Sequence, residues 1–394
     1  MITLASKDSC TGCGACNNIC NHNAIRMEKD EEGFLFPTIN TDLCVECHLC
    51  EQSCPVLHPD TNANNKMPKA FAVWSQRDRN YSSSGGAFSA FARMTLAENG
   101  VVFGASFDEH LHCRHIEIQD EKELPALRGS KYVQSEIGDV YKRIKSYLKE
   151  NRKVLFCGTP CQVAGLKSFL KKPYDNLLTL DLVCHGVPSD AIFQSYLEKL
   201  SRRMAVKIEN YEFRHRDGWG KAPAVATSCK IRPVYGVDAL YMEAFNASAI
   251  FRRSCYQCQY AKLPRTGECT LGDFWGIGRH GIPFKHSIQK GVSLVLANNA
   301  SGETALRRLQ NTFIEERTIE EALIENQNII HPSPIHYERE SIISAFLNPS
   351  TSLSSIRKQY KLSETGIKNL IKEYAMRWHV FNFVKAIYNK FKSL

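Results

Sequence analysis

Two cysteine runs of the same spacing lie near the start of the chain. Both follow the pattern C-x2-C-x2-C-x3-C, and their members are Cys10, Cys13, Cys16, Cys20, Cys44, Cys47, Cys50 and Cys54. Bacterial ferredoxins use this run twice, and the fourth cysteine of each run binds the cluster of the other run. We therefore predict one 4Fe–4S cluster on Cys10, Cys13, Cys16 and Cys54. A second 4Fe–4S cluster is predicted on Cys44, Cys47, Cys50 and Cys20. Paired C-x2-C motifs also bind zinc, but two complete repeats favour clusters.

A third set of cysteines is spread over the middle of the chain. SCYQC holds Cys255 and Cys258, which are half of a four-ligand site. KVLFC and LLTLDLVC are predicted strands, and each is followed by a predicted helix. This alternation predicts a parallel sheet. Cys161, after the first strand, and Cys184, at the end of the second, would then share the carboxyl edge of that sheet.

We therefore predict a third 4Fe–4S cluster on Cys161, Cys184, Cys255 and Cys258. Cys157 is the runner-up ligand and Cys269 a weaker one. The alternative is that these cysteines are ordinary buried thiols, as expected for Cys113 and Cys229.

Two loops could bind a ligand. A small-residue loop with Ser84, Gly85 and Gly86 precedes a predicted helix and suits a phosphate or an ordinary helix start. The loop RGSKY carries Arg128, Lys131 and Tyr132, which suit an anionic ring cofactor or a solvated surface.

Charge and hydropathy narrow the class of protein. The 394 residues carry a net charge of +9, but residues 351–394 hold nine Lys or Arg against two acidic residues. The rest of the chain is nearly neutral, which argues against nucleic acid binding. The basic amphipathic tail could lie on an anionic membrane surface or pack on the body. No apolar run is long enough to span a membrane and no secretory signal is evident, so we expect a cytoplasmic protein that is at most peripheral at the membrane.

Three segments together resemble one family. GTPCQVAGL, DLVCHGVPS and SCYQCQYAKLPRTGECTLGDFWGIG resemble the beta subunits of coenzyme F420 hydrogenases and dehydrogenases, here following a dicluster ferredoxin domain. The resemblance implies an FAD beside the iron–sulfur clusters. It also makes both loops expected flavin contacts, through Ser84, Gly85, Gly86, Arg128, Lys131 and Tyr132.

The resemblance implies an oxidoreductase that moves electrons between a ferredoxin-type relay and a flavin acting on a small organic substrate or a deazaflavin. The alternative is an electron-transfer subunit without its own substrate, which serves a ferredoxin or another redox protein. Candidate proton donors are His185, Arg214, His215 and Asp217, unless these are only structural or surface residues. The predicted catalytic residues are His185, His215 and Lys221. Lys221 and Arg265 could meet an acidic substrate.

The predicted architecture is a small ferredoxin-like domain followed by a mixed, partly parallel α/β sheet and a helical tail. Between the cysteine runs, AIRMEKDEEGFLFPTIN predicts a hairpin around Gly33. The predicted divisions are a dicluster domain at 1–60, a flavin-contacting region at 67–150, a third-cluster domain at 151–300 and a helical basic tail at 301–394.

Overall fold

A computed structural model describes residues 2–59, 64–215, 223–228 and 230–362. The strands are β1 (Ile25–Lys29), β2 (Leu35–Ile39), β3 (Lys69–Ser75), β4 (Val101–Phe107), β5 (Cys113–Ile118), β6 (Val154–Cys157), β7 (Leu177–Leu182), β8 (Asn210–Glu212), β9 (Ala224–Ala226), β10 (Ile231–Pro233), β11 (Cys269–Asp273), β12 (Ser293–Ala297) and β13 (Thr312–Arg317). The helices are α1 (Ala15–Ile19), α2 (Leu49–Gln52), α3 (Ala87–Ala97), α4 (Leu124–Leu127), α5 (Val140–Lys149), α6 (Pro160–Leu170), α7 (Asp190–Met204), α8 (Leu240–Asn246), α9 (Ala300–Arg307), α10 (Ile319–Ile324), α11 (Arg339–Leu347) and α12 (Leu353–Gln359).

The largest sheet has eight strands in the order β13-β3-β12-β11-β7-β6-β4-β5. Its four central strands, β11, β7, β6 and β4, pair in parallel. The strands on both flanks pair antiparallel. The predicted mixed, partly parallel sheet is therefore confirmed. A separate three-stranded antiparallel sheet has the order β10-β9-β8.

The two central crossovers form where local sequence signals predict them. Strand β6 is buried along Val154, Leu155 and Phe156, as its apolar run requires. Helix α6 then begins with a capping box in which Thr159 and Gln162 satisfy each other's backbone N–H groups. Because β6 and β7 are parallel, the segments that follow them meet at the same edge of the sheet.

The N-terminal domain packs into the body of the molecule. Ala15, Ile19 and Ile25 share one hydrophobic cluster with Phe156 of β6 and Val163 of α6. Burial of these side chains excludes water from the boundary between the two parts. The architecture therefore changes near residue 60, as predicted, but one hydrophobic core includes side chains from before and after this position.

The predicted hairpin is present as β1 and β2, which pair antiparallel. Gly33 turns the chain with a φ of +79°, and a Cβ there would lie 2.2 Å from the Cβ of Ala191. Glycine is needed at this position for both its conformation and its close approach to α7. The hairpin is further held by the Ser189 hydroxyl, which donates to the Glu32 carbonyl at 2.6 Å.

The segment after residue 300 differs from the predicted helical tail. Helices α9 to α12 are present, but Thr312–Arg317 forms edge strand β13, which pairs with β3. The prediction of a helix at residues 312–317 was wrong. In sequence, a charged strand at the edge of a sheet resembles the solvent-exposed face of a helix. Residues 363–394 of the predicted basic tail lie outside the described residues. Among the helices that the structure describes, none has the length and apolar character needed to cross a bilayer.

Candidate iron–sulfur sites

Two cavities in the N-terminal domain are each lined by four cysteines, with the exchange between the two runs that the spacing predicts. The first cavity, called site 1, contains Cys10, Cys13, Cys16 and Cys54. The second, called site 2, contains Cys20, Cys44, Cys47 and Cys50.

Backbone geometry explains how the short loops bring three cysteines around one cavity. Gly12 and Gly14 adopt φ values of +67° and +77° in the first run, and Glu46 and His48 adopt +50° and +57° in the second. These left-handed residues turn the chain so that neighbouring thiols face the same space. The remaining cavity walls are largely apolar, as a group with bridging sulfides requires. The donor sets of both cavities therefore fit 4Fe–4S clusters.

The two sites differ in their exposure. Cys10 and Cys13 of site 1 are each 8% exposed. In site 2, Cys50 is 7% exposed but Cys47 is exposed. Leu43 and Val45, beside site 2, are 46% and 59% exposed. Site 1 thus faces the body of the protein and site 2 faces the surface.

The third predicted set of cysteines also meets in space; we call it site 3. Cys161 lies in the first turn of α6 and Cys184 lies just beyond β7. Cys255 and Cys258 lie on and directly after the 3-10 helix Arg253–Gln257. Burial raises the pKa of the Cys184 thiol well above its usual value, and the nearby thiols of Cys255, Cys161 and Cys258 raise it further.

Such mutual repulsion indicates that the four sulfurs surround one space. Burial likewise raises the pKa of Cys161 to about 11, with Cys258 adding to the effect and the Thr159 hydroxyl opposing it. All four cysteines are half-buried, and four thiols grouped in this way are the donor set that a 4Fe–4S cluster requires. Among the residues described, no three His, Cys, Asp or Glu side chains lie close enough to hold a single metal ion.

The runner-up ligands lie elsewhere. Burial raises the pKa of Cys157 to about 12, and the charged neighbours of its thiol are Asp181 and Lys131. Cys269 is fully buried in β11, where its thiol contacts the Gly302 carbonyl at 3.4 Å. Cys113 is buried in β5, and Cys229 lies outside the described residues.

Site 1 and site 3 are neighbours, and the residues between them pack directly against each other. Gly165 of α6 lies against Cys13, so closely that a Cβ on this glycine would be 3.0 Å from the Cys13 Sγ. The buried hydroxyl of Tyr141 contacts the carbonyls of Cys13 and Gln162 at 2.8 Å each. The helix that carries Cys161 is therefore fixed to the loop that carries Cys13.

Arg265 is buried in an ion pair within the protein and does not lie where it could contact a substrate. It is 3% exposed, and its Nη2 lies 3.3 Å from the Oδ1 of Asp181, which is fully buried. Its Nη1 donates to the Tyr260 carbonyl at 2.8 Å. The ion pair joins the segment that follows Cys258 to strand β7. The prediction that Arg265 meets an acidic substrate was wrong, because the sequence did not reveal the carboxylate that neutralises it.

The two predicted ligand loops lie side by side. The Ser130 amide donates to the Ser83 hydroxyl at 3.2 Å. Within them, the Ser84 hydroxyl donates to the Val292 carbonyl at 3.0 Å. A Cβ at Gly85 would lie 2.2 Å from the Val73 carbonyl, so that glycine also serves sheet packing.

Arg128 has a protein partner just before the first loop. Its Nη2 donates to the fully buried carboxylate of Asp78, which also accepts from Arg93 Nε at 3.0 Å. Gly86 ends this loop with a φ of +85° at the start of α3. Asp78 precedes this loop, and sequence reasoning missed it because its partner Arg128 lies 50 positions further along the chain.

Lys131 and Tyr132 are half-buried. Burial lowers the pKa of Lys131 to about 8, although the thiols of Cys113 and Cys157 oppose this effect. Its Nζ donates to the Arg128 carbonyl at 2.7 Å. The ring of Tyr132 packs 4.6 Å from that of Phe245.

The predicted proton-transfer residues are not all brought together. His185 is exposed at the surface. Partial desolvation by its neighbours lowers its pKa, while Asp273 opposes the shift. His215 Nδ1 contacts Glu212 at 2.9 Å. Asp217 and Lys221 lie outside the described residues. Arg214 pairs with Asp273, a partner that sequence reasoning missed because the two positions are 59 residues apart.

Comparisons with known proteins show which families the sequence resembles. Residues 9–57 match a 4Fe-4S dicluster domain, and residues 151–322 match the C-terminal domain of the coenzyme F420 hydrogenase/dehydrogenase beta-subunit family. The chain is 22% identical over 226 residues to one of the subunits of the F(420)H(2) dehydrogenase of Methanosarcina mazei, a match that covers 52% of this chain and 63% of that protein. A chain of the F420-reducing NiFe hydrogenase complex from Methanosarcina barkeri is 14% identical with a TM-score of 0.44, over 78% of this chain and 97% of that chain.

The N-terminal match defines the class as an iron–sulfur protein with a 4Fe-4S dicluster domain. The longer match, which lies further along the chain, is to the C-terminal domain of the coenzyme F420 hydrogenase/dehydrogenase beta-subunit family. The resemblance predicted from the motifs is thereby confirmed. The chain spans about 63% of the length of the curated relative that it matches.

Proposed function

We propose that this chain is an iron–sulfur electron-transfer subunit of an F420-type oxidoreductase complex. The observation that carries the proposal is the packing of site 1 between site 2, at the surface, and site 3, at the edge of the sheet. Gly165 against Cys13 is the contact between the inner two sites. The family match supports the class of complex.

Each site would hold a 4Fe–4S cluster, which accepts and releases one electron at a time. The cysteines bind the clusters, and the apolar walls keep water away from the bridging sulfides. The Tyr141 hydroxyl and the packing of α6 hold the inner two ligand loops at a constant separation. The chain thus supplies a fixed series of sites with one end near the surface.

A one-electron redox protein is the proposed partner at site 2. The exposed Cys47, with Leu43 and Val45 beside it, offers an apolar contact close to the outer cluster. All fifteen described cysteines are free of disulfides, which suits the reducing cytoplasm.

The first test is the iron and acid-labile sulfide content of anaerobically prepared protein. The wild-type chain should hold about twelve irons, and the double variant Cys255→Ser, Cys258→Ser about eight, because only site 3 loses ligands. The matched control is Cys113→Ser, which changes a buried thiol outside the three sites and should keep about twelve. About eight irons in all three proteins would refute site 3.

Electron transfer is tested separately with a one-electron reductant. Rapid-freeze EPR should show that all three clusters of the wild-type protein become reduced. In the double variant the two N-terminal clusters should still be reduced, and reduction of an added acceptor should slow at least tenfold. An unchanged rate would show that electrons bypass site 3.

A second candidate function is a reductase that binds FAD and acts on its own substrate or on a deazaflavin. It is favoured by the adjacent loops with Ser83 and Ser130 and by the polar group of His185, Arg214 and Asp273. Reconstitution with FAD tests it: a stoichiometric flavin spectrum that is lost in Lys131→Met would support this function. If the chain binds no flavin, the second candidate is excluded, and the proposed function remains that of an electron-transfer subunit without its own substrate.

A further inference from the structure

Arg252 is a buried cation between the first cysteine loop and the SCYQC segment. It is 1% exposed, and its Nε donates to the Cys10 carbonyl at 2.7 Å. Its own backbone carbonyl accepts from the Cys255 amide at 2.9 Å. One residue is thus hydrogen-bonded to a ligand loop of site 1 and to a ligand of site 3.

The charge of Arg252 has no carboxylate partner among the described residues. The other two deeply buried arginines do have partners, because Arg265 pairs with Asp181 and Arg339 with Glu32. Arg252 instead lies over the ring of Phe36, at 3.9 Å from the centroid.

The remaining contacts of Arg252 are neutral. Nη1 donates to the Gln134 side-chain oxygen at 3.3 Å, and Nη2 is buried without a hydrogen-bond partner in the described part of the chain. A buried cation without a counter-ion is costly unless a negative group lies nearby. Clusters bound by the cysteines of sites 1 and 3 would be the negative groups that this position adjoins.

Arg252 also borders site 3 through the backbone. It directly precedes the 3-10 helix Arg253–Gln257, which carries Cys255, and the hydrogen bond from the Cys255 amide holds the two residues in one turn.

We propose that Arg252 raises the reduction potentials of the clusters at sites 1 and 3 above that of site 2, and so directs electrons inward from the surface. Reduction adds a negative charge to a cluster, and a nearby buried cation stabilises the reduced form. This inference rests on the proposed function, since it requires clusters at all three sites.

A purely structural role for Arg252 would give a different result, and paired variants distinguish the two. Arg252→Gln removes the charge. Gln134→Glu keeps Arg252 in place and neutralises it with a new carboxylate. Gln134→Leu is the matched control, because it removes the contacts with Arg252 and with the Thr11 carbonyl but leaves the charge.

The experiment is an anaerobic potentiometric titration of the full chain followed by EPR, after iron analysis of each preparation. Arg252→Gln and Gln134→Glu should each lower the reduction potentials of two of the three clusters by at least about 59 mV. For a one-electron couple this shift corresponds to a tenfold change in the equilibrium constant. The third potential, that of site 2, should not move. Arg252→Lys and Gln134→Leu should stay near the wild-type values.

Several results would overturn the inference. Unchanged potentials in Gln134→Glu with all irons present would do so, even where Arg252→Gln fails to fold. An equal shift in Gln134→Leu would mean that packing, and not charge, sets the potentials. An equal shift of all three clusters would exclude a directional role. A wild-type protein with fewer than three clusters would instead refute the proposed function.

Discussion

Asp181→Asn should destabilise the protein and empty site 3. Asp181 is fully buried, and its carboxylate pairs with Arg265 at 3.3 Å. The same carboxylate accepts the backbone N–H groups of Thr266 and Gly267 at 3.0 and 2.9 Å. An asparagine has nearly the same shape, so the substitution removes the charge and one acceptor without opening a cavity.

The expected loss follows from the burial of both partners. Breaking a buried ion pair by removing one charge costs roughly 3–5 kcal/mol, because the other charge stays buried without compensation. A lost hydrogen bond to a charged group contributes roughly 1.5–3 kcal/mol within that total, since such terms are not additive. We therefore expect the free energy of unfolding to fall by roughly 3–5 kcal/mol. The segment from Tyr260 to Gly267 should detach from β7, and the site 3 ligands should separate.

Urea unfolding under anaerobic conditions, followed by circular dichroism, measures the stability change, and iron analysis measures the site. The variant should lose about four irons per chain. Glu198→Gln is the matched control, because Glu198 forms an exposed pair with Arg202 on α7. That variant should change stability by less than about 0.5 kcal/mol and keep its iron. A loss below about 1 kcal/mol in Asp181→Asn, with full iron content, would refute the reasoning.

Two further predictions concern buried hydrogen bonds. Tyr141→Phe removes the hydroxyl that contacts the Cys13 and Gln162 carbonyls, and should lower the free energy of unfolding by about 1–2 kcal/mol in urea titrations; no change would exclude this contact as a link between the domains. Burial lowers the pKa of His115 to about 4, so the unfolded chain binds a proton below pH 6.5 that the folded chain does not. Stability is thus lost as the pH falls from 6.5 towards 4, and unfolding at pH 7 and 5.5 should differ by about 1 kcal/mol more in the wild type than in His115→Gln. Equal pH dependence in both proteins would contradict a buried neutral histidine.

Local sequence signals predicted the elements that carry the sites. The hairpin around Gly33, the strands β6 and β7 and the helices α6 and α7 formed as their patterns indicated. The prediction failed at β13, where pairing with β3 decided the conformation of a charged segment. Strand formation there depends on a partner far earlier in the chain, and no local period reports such a partner.

The sequence by itself determined the pairing of the two N-terminal cysteine runs. Their ligands lie within short loops, so spacing alone limits which sulfurs can meet. It also indicated that Cys161 and Cys184 share one edge, since parallel strands end together.

Only the tertiary structure separated Cys157 from site 3 and revealed the residues that surround that site. The Asp181–Arg265 pair spans 84 positions, and the contact of Arg252 with the Cys10 carbonyl spans 242. From the sequence alone, a charged residue is expected at the surface, because nothing in its neighbourhood along the chain shows whether it will be buried or which residue will neutralise it. Folding decides both, by bringing distant segments into a volume from which water is excluded.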